Sequence, residues 1–320
     1  MQKTILEIQD LKTHFFTYNG VVRAVDGIDL SLHRNEVIGI VGETGCGKSV
    51  TMRSTMGLVP DPGRIVEGRI LLDGENLLEK SKAELRHIRG NRMSMIFQNP
   101  LSSLNPVFTI GNQVGHVISI HEGKNKKDAR RRAIETFEQV RLPDPARLLN
   151  RYPHELSGGM LQRVMIAMAL SCRPEVLIAD EPTTALDVTI QAQILSLMLR
   201  LKEETGTAII LITHDLGVVA ETCDRVAVMY AGLIVERGPI QMIFNDPLHP
   251  YTQGLLASLP GQQDGAEELK TIEGLVPDLI HPPAGCRFHP RCELVESICR
   301  KEVPELLGKG NGRTVACHLR

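Results

Sequence analysis

Val37-Ile38-Gly39-Ile40-Val41 continues directly into Gly42-Glu43-Thr44-Gly45-Cys46-Gly47-Lys48-Ser49. The β-branched run predicts a buried strand, and the glycines predict a tight loop with a helix following from about Ser49 to Leu58. In this strand–loop–helix setting the pattern G-x-x-x-x-G-K-S is a phosphate-binding loop. We therefore expect the chain to bind a nucleoside triphosphate.

The loop residues have distinct expected roles. The glycines let backbone N–H groups point at the β-phosphate, and the following helix directs the positive end of its dipole there. Lys48 places a charge at the β- and γ-phosphates, and the Ser49 hydroxyl is a ligand for Mg²⁺. The residues expected to contact the nucleotide are Gly42, Glu43, Thr44, Gly45, Cys46, Gly47, Lys48, Ser49 and Val50.

Two further strands end in polar residues of the kind that phosphoryl transfer needs. One buried strand, residues 175–181, ends in Asp180 and Glu181. We expect Asp180 to hold Mg²⁺ through water and Glu181 to orient the water that attacks the γ-phosphate. A third strand, residues 208–213, is followed by His214, a candidate γ-phosphate sensor or simply a cap.

The segment Leu156-Ser157-Gly158-Gly159-Met160-Leu161-Gln162-Arg163 resembles the signature of ATP-binding cassette (ABC) ATPases. The other motifs of the family are also present in the expected order: Gln98 within residues 97–100, Ala185-Leu186-Asp187, and His214. The resemblance covers about residues 4–255. It implies an α/β fold, an ABC-type P-loop ATPase core with an antiparallel β subdomain and a helical insert.

The resemblance also implies how the site is completed. Gln98 is expected to contact Mg²⁺ and to serve catalysis. Ser157, Gly158 and Gly159 begin a second helix N-terminus, which in the family closes over the phosphate loop of a partner cassette. Two ATP molecules are then held in a head-to-tail dimer. The residue that stacks on adenine stays open between Phe15 and Tyr18.

The pattern of glycines, prolines and apolar residues divides the chain. We expect an ABC ATPase domain over 1–255, with short strands in 4–34, a late hairpin in 228–238 and a helical subdomain over about 100–170. In the basic segment 126–140, Ala133, Ile134, Phe137 and Val140 are expected to face inward and the charges to be solvated.

Composition narrows the function classes. The chain has 320 residues, 42% of them hydrophobic and 23% charged, which suffices for about two domains. No apolar run approaches the ~20 residues of a membrane helix, and the first residues do not form a signal peptide. The net charge of −2 argues against nucleic acid as the main partner.

Residues 256–320 are expected to form a small cysteine-rich extension. His249-Pro250-Tyr251-Thr252 resembles the element that begins this extension in oligopeptide, dipeptide and nickel importer ATPases. Cys286, Cys292, Cys299 and Cys317 follow a polar linker. Clustered cysteines in a cytoplasmic chain favour a metal, and four thiolates suit either Zn²⁺ or a [4Fe-4S] cluster. The spacing of the four cysteines does not distinguish Zn²⁺ from an iron–sulfur cluster. Similar tails in dipeptide-permease ATPases carry the iron–sulfur cluster, so the resemblance favours that cluster.

The resemblance is closest to the dipeptide-permease D-type ATPase. It implies an ATPase, with ATP and Mg²⁺ as cofactors, that drives an importer of dipeptides or oligopeptides. The expected partners are a homologous ATPase, two integral membrane permease subunits and an extracytoplasmic solute-binding protein, with the chain peripheral at the cytoplasmic face of the inner membrane. The alternatives are a nickel-importer subunit and a soluble ABC ATPase without a transport role.

Overall fold

The computed structural model describes residues 3–99, 103–183, 187–258 and 272–320. In chain order the strands are β1 (Thr4–Thr17), β2 (Gly20–His33), β3 (Val37–Val41), β4 (Gly63–Leu72), β5 (Glu75–Asn76), β6 (Met93–Ile96), β7 (Val176–Asp180), β8 (Ala208–Ile212), β9 (Arg225–Tyr230), β10 (Leu233–Pro239), β11 (Leu307–Gly308) and β12 (Thr314–Val315). The α-helices are α1 (Lys48–Thr55), α2 (Lys82–Ile88), α3 (Ile110–Glu122), α4 (Lys126–Gln139), α5 (Pro145–Leu148), α6 (Gly158–Leu170), α7 (Val188–Thr205), α8 (Leu216–Thr222), α9 (Ile240–Asn245) and α10 (Pro250–Ala257).

The chain divides into two compact units. The insert unit holds the residues up to Ile5, Leu32–Glu36 and Glu79–Ile210. The loop unit holds Leu6–Ser31, Val37–Leu78 and Leu211–Arg320. The polar linker that precedes the tail cysteines, residues 260–265, lies outside the described residues, as do Ala185 and Leu186.

The insert unit combines parallel strands with a helical layer. Strands β6 and β7 pair in parallel, with Met93 opposite Val176, and every residue of β7 is buried. A run buried on both faces is what a parallel sheet covered by helices requires. Helices α3 and α4 begin at the N-caps Thr109 and Asn125, whose side chains accept backbone N–H groups three residues on.

The inner faces of the helical layer repeat at helical spacing. Ala129, Ala133, Phe137 and Val140 are buried, whereas Ile134 is only half-buried. The prediction that Ile134 faces inward was therefore only partly right, because the stripe centres on Ala133 and Phe137 and leaves Ile134 at its edge.

Arginine side chains donate hydrogen bonds to carbonyl groups at the C-terminal ends of α4 and α6. Arg132 is buried and donates to the carbonyl oxygen of Ser171, just after α6. Arg163 donates to the carbonyl oxygen of Val140 at 2.9 Å, and Arg200 to that of Gln139 at 2.7 Å, both at the end of α4. Of these arginines, Arg132 belongs to the basic segment whose charges were expected to be solvated. Instead, a cation at a helix C-terminus satisfies carbonyl groups that have no partner within the helix.

The loop unit carries two sets of strands. One is antiparallel, in the order β2-β1-β4-β5. Short strands were expected here, but β1 and β2 each run for 14 residues. In β1 the register against β4 shifts between Gln9 and Thr13, so the buried positions change from Leu6 and Ile8 to Leu11 and Thr13 while the strand continues.

The second set has the order β11-β12-β10-β9-β3, in which β3 and β9 are parallel and β9 and β10 form the expected late hairpin. The last strands join it through Glu236 and Arg237, which pair with Val315 and Thr314. Residues near the end of the chain are thereby built into the same set of strands as β3.

Glu236 is the polar centre of this junction. Its side chain is fully buried and accepts hydrogen bonds from the backbone N–H groups of Leu248 and His249, both at 2.9 Å. It also forms an ion pair at 3.2 Å with the buried Arg313. One carboxylate thus joins β10, the start of α10 and the segment before β12.

We expect Glu236→Ala to destabilise the folded chain by about 3–5 kcal/mol, because it leaves a buried cation and two backbone donors without their acceptor. Arg313 would keep its ion pair with Asp246, whose side chain is 78% exposed and therefore compensates the buried charge weakly. Urea unfolding checks this, with the exposed Glu305→Ala as the matched control, expected within about 0.5 kcal/mol of the parent. Equal losses in the two variants would contradict this role for Glu236.

Candidate nucleotide site

The phosphate loop forms between β3 and α1 in the loop unit. Gly42 and Gly47 have φ angles of 149° and 107°, and a Cβ on either would collide with a backbone carbonyl oxygen, of Met229 or Ala24 respectively. Only glycine fits both positions. Around Gly45, by contrast, a Cβ would meet open space. The loop is therefore packed against Met229 and Ala24 on one side and is open around Gly45.

Lys48 is buried and turned toward the loop. Its Nζ donates to the carbonyl oxygen of Gly42 at 2.7 Å and to that of Glu43 at 3.0 Å. The positive charge consequently lies among the loop atoms, where a phosphate group would need compensation. Ser49 and Val50 follow in the first turn of α1 and are half-buried.

The side chain of Cys46 does not reach the open face of the loop. Its thiol is fully buried, and burial raises its pKa, against the opposing effect of Lys48. The exposed residues of the loop are Thr44 and Gly45. Helix α1 begins earlier than expected, at Lys48, and ends at Thr55 because Gly57 adopts a left-handed φ of 61°.

The two carboxylates lie in the insert unit. Asp180 ends β7 and is 3% exposed, while Glu181 follows with a φ of 48°, which is uncommon for a residue with a side chain. Gln98 Nε2 donates to Glu181 Oε2 at 2.7 Å, so the structure brings these two predicted residues together. Backbone strain of this kind is concentrated at functional sites.

Gln162 is a residue of this region that the sequence reading did not single out. It lies in α6, is 3% exposed, and its Nε2 donates to the carbonyl oxygen of Pro182, one residue after Glu181. The signature helix thereby holds the turn that carries the carboxylate. A polar residue on the buried stripe of a helix was the available signal.

The signature is exposed at its Ser157 and Gly158 positions. Ser157 is the N-cap of α6 and its hydroxyl accepts from the Met160 N–H at 3.4 Å. Gly158 is exposed, and a Cβ there would meet nothing within 4 Å. The start of α6 therefore has open space in front of Gly158.

His214 and the aromatic candidates lie in the loop unit. His214 is exposed after β8, and the cap of α8 is its neighbour Asp215, whose side chain accepts from Val218. Phe15 packs in β1 against Gly63, where a larger residue would clash with its ring. Tyr18 lies in the turn after β1 and is fully exposed.

The four tail cysteines meet in the loop unit. Cys286, Cys292, Cys299 and Cys317 line one small cavity of about 20 Å³. The Cys286 N–H donates to the carbonyl oxygen of Cys299 at 2.9 Å. Within the described ranges, however, no three or more His, Cys, Asp or Glu side chains are arranged to hold a metal ion.

Comparison with known proteins identifies the class. The ABC transporter family model matches residues 25–184, and the model for the C-terminal region of oligopeptide/dipeptide transporters matches residues 235–299. The dimeric structure of MJ0796, a bacterial ABC transporter cassette, superimposes with a TM-score of 0.66 at 26% identity, covering 73% of this chain and 98% of that one.

Two relatives match over nearly their full lengths. Oligopeptide transport ATP-binding protein AppD of Bacillus subtilis (strain 168) is 50% identical over 317 residues, 99% of this chain and 97% of AppD. Dipeptide transport ATP-binding protein DppD of Escherichia coli (strain K12) is 48% identical over 314 residues, 98% of this chain and 96% of DppD. The chain belongs to the ABC transporter family, and its activity is ATP hydrolysis of the ABC type. The resemblance and the α/β cassette fold expected from the sequence are confirmed.

No helix in the described parts of the chain has the length and apolar character needed to cross a membrane.

Proposed function

We propose that this chain is the ATP-hydrolysing subunit of a membrane importer for dipeptides or oligopeptides. The observation that carries the proposal is the match of residues 235–299 to the C-terminal region of oligopeptide/dipeptide transporters, next to a cassette that matches the ABC family. The corresponding division is an ATPase domain over 1–255 and an extension over 256–320. A nickel importer remains the alternative from the same family.

The proposal assigns the following roles to the predicted site residues. The loop N–H groups and Lys48 bind the phosphates, and Ser49, Gln98 and Asp180 hold Mg²⁺. Glu181 orients the attacking water, with His214 at the γ-phosphate. The Gln98 amide already donates to the Glu181 carboxylate, which fixes the direction of its oxygens. Tyr18, being fully exposed, is free to stack on adenine, whereas Phe15 is engaged with Gly63.

We expect Glu181→Gln to keep MgATP binding and to lower the hydrolysis rate roughly 10²-fold or more, because the isosteric amide preserves the shape of the site but not the charge that orients water. Lys48→Ala is the contrasting variant and should lose nucleotide binding itself. Calorimetric titration and phosphate release separate the two effects, and gel filtration should show an ATP-bound dimer for Glu181→Gln. Hydrolysis by Glu181→Gln at the parent rate would exclude this role.

The partners in the proposal are a homologous ATPase subunit, two integral membrane permease subunits and an extracytoplasmic solute-binding protein. The start of α6 supports a partner cassette, because Ser157 and Gly158 are exposed there and a helix N-terminus offers backbone N–H groups to a nucleotide held elsewhere. The chain would then lie peripherally at the cytoplasmic face of the membrane. Nucleic acid has no part in this proposal.

We expect the isolated chain to bind MgATP but to hydrolyse it slowly, and the rate to rise about tenfold or more in the full assembly. The measurement is phosphate release by the chain alone and by the complex in liposomes. Peptide-loaded binding protein should raise the rate further, whereas a nickel-loaded one should not. Fast turnover by a monomer would contradict the partner requirement, and stimulation by nickel alone would select the alternative.

For the tail, the proposal is a [4Fe-4S] cluster held by the four cysteines, with Zn²⁺ as the alternative. The support is the shared cavity and the thiol donor set. Burial, and then the nearby Cys299, Cys317 and Cys292, raise the pKa of Cys286 to about 11, while the Phe288 N–H opposes this. A bound cation would hold the four side chains as thiolates.

We expect anaerobically purified protein to be brown, with about four irons and four acid-labile sulfides per chain. Cys292→Ser should lose the colour and most of the iron, because it removes one of the four ligands. Cys172→Ser, outside the tail, is the control and should keep both. A colourless anaerobic preparation with one zinc per chain would reject the iron–sulfur assignment.

A further inference from the structure

Arg291 connects the cysteine segment to the phosphate loop. It ends the short 3₁₀ helix His289–Arg291, immediately before Cys292, and its side chain is 6% exposed. Its two terminal nitrogens bind the two carboxylate oxygens of Glu43 at 2.9 and 3.2 Å. Glu43 is the second residue of the phosphate loop. Paired bonds of this kind fix direction as well as charge.

The rest of the guanidinium is held equally firmly. Its Nε donates to the carbonyl oxygen of Glu273 at 2.8 Å, and one terminal nitrogen donates to that of Ile272 at 3.1 Å. The group also lies over the ring of Tyr230, 5.8 Å from its centroid. Arg291 is therefore placed by the tail itself, and Glu43 is placed by Arg291.

A second connection reaches the backbone of the same loop residue. The N–H of Glu43 donates to the hydroxyl of Tyr251 at 2.9 Å, and Tyr251 is fully buried. Its ring packs against those of Tyr230 and Phe288, with centroids 4.6 and 5.5 Å apart. Phe288 belongs to the segment between Cys286 and Cys292.

A third connection runs through the β9–β10 turn. Arg287, also between the two cysteines, donates to the carbonyl oxygen of Ala231 and to Asp26. The next residue in the turn, Gly232, donates its N–H to the carbonyl oxygen of Cys46 at 2.8 Å. Residues 286–292, here called the bracing segment, thus contact the loop or its immediate support through three separate side chains.

This arrangement has an electrostatic consequence. A carboxylate in a loop that binds di- and triphosphates repels the ligand, and the repulsion grows as the charge is removed from water. The Arg291 guanidinium compensates the Glu43 charge. It also limits the motion of a loop whose N–H groups must converge on phosphate, and such preorganisation improves affinity.

We propose that Arg291 is a positioning residue for nucleotide binding and that the bracing segment, through the Arg291–Glu43 pair, sets the affinity of the phosphate loop. The inference rests on ATP binding by the cassette and is independent of which metal, if any, the cysteines hold. Because coupling between two sites is reciprocal, nucleotide binding must in turn stabilise the bracing segment.

The test compares Arg291→Met with Arg300→Met in the full chain. Arg300 is a matched control: it ends the other short 3₁₀ helix of the tail, follows Cys299 directly and is exposed. Titration with MgADP should give a Kd about tenfold or more higher for Arg291→Met, since tenfold corresponds to the loss of one good charged contact. Arg300→Met should stay within about twofold of the parent, as expected for a site without coupling.

A charge rescue separates positioning from simple damage to the fold. Glu43→Gln removes the repulsion that Arg291→Met exposes, so the double variant should recover most of the lost affinity. A purely structural defect would not be repaired by this second change. If Arg291→Met unfolds too readily to titrate, Arg291→Lys replaces it, because it keeps the charge and loses the paired geometry.

The reciprocal effect is measured by hydrogen exchange of residues 286–300 with and without MgADP. Binding should slow exchange in the parent and in Arg300→Met but not in Arg291→Met. An Arg291→Met variant with the parent Kd, or losses that simply add in the double variant, would overturn the inference. Failure of the parent chain to bind MgADP would instead contradict the ATPase conclusion, so the two failures are distinguishable.

Discussion

The backbone of the phosphate loop passes so close to the carbonyl oxygens of Met229 and Ala24 that Gly42 and Gly47 admit no side chain. The loop is thus fitted against the end of β9 and against β2, and its shape depends on where those strands lie. Tyr230 and the Ala231–Gly232 turn follow Met229 directly. A contact that restrains this turn therefore also restrains the phosphate loop packed against it. The hydrogen bond from Arg287 to the carbonyl oxygen of Ala231 is such a contact, so the tail affects nucleotide binding.

Arginine–carboxylate pairs help to attach the tail to the rest of the loop unit. Arg287 pairs with Asp26, Arg291 with Glu43 and Arg313 with Glu236. Such pairs add less net stability than apolar packing of the same size would, but they tolerate only one geometry, and losing a single partner is costly. The extension therefore has a specified position against the loop unit, with the ring cluster of Tyr230, Tyr251 and Phe288 as its apolar centre.

The local parts of the site were predictable from the sequence. The strand, the glycine spacing and Lys48 lie within thirteen consecutive residues, and the Asp180–Glu181 pair ends an unbroken apolar run, so neighbouring residues determine these elements. The contacts between distant residues were not predictable. Arg291 and Glu43 are 248 residues apart, and a single arginine in a polar segment has no periodicity that reveals its partner. The same holds for Gln162, whose acceptor is a backbone carbonyl.

For the helix α4, the sequence predicted the spacing of the buried apolar residues but not which charged residues are buried among them. The apolar pattern correctly predicted that Ala133 and Phe137 are buried. It wrongly predicted that Arg132 is solvent-exposed, because charged side chains were assumed to lie at the surface. The long stem of arginine can lie along apolar surface while its guanidinium reaches a helix end. Sequence alone gives no indication of which arginine has a carbonyl group within reach.

The arginines that bind the C-terminal ends of α4 and α6 have a mechanical consequence. Arg132, Arg163 and Arg200 each bind the terminal carbonyl groups of a helix other than their own, so the helices are cross-connected at their ends as well as packed along their sides. A layer connected in this way resists bending and sliding of one helix past another. We therefore expect the helical layer to behave as one stiff body rather than as separate helices.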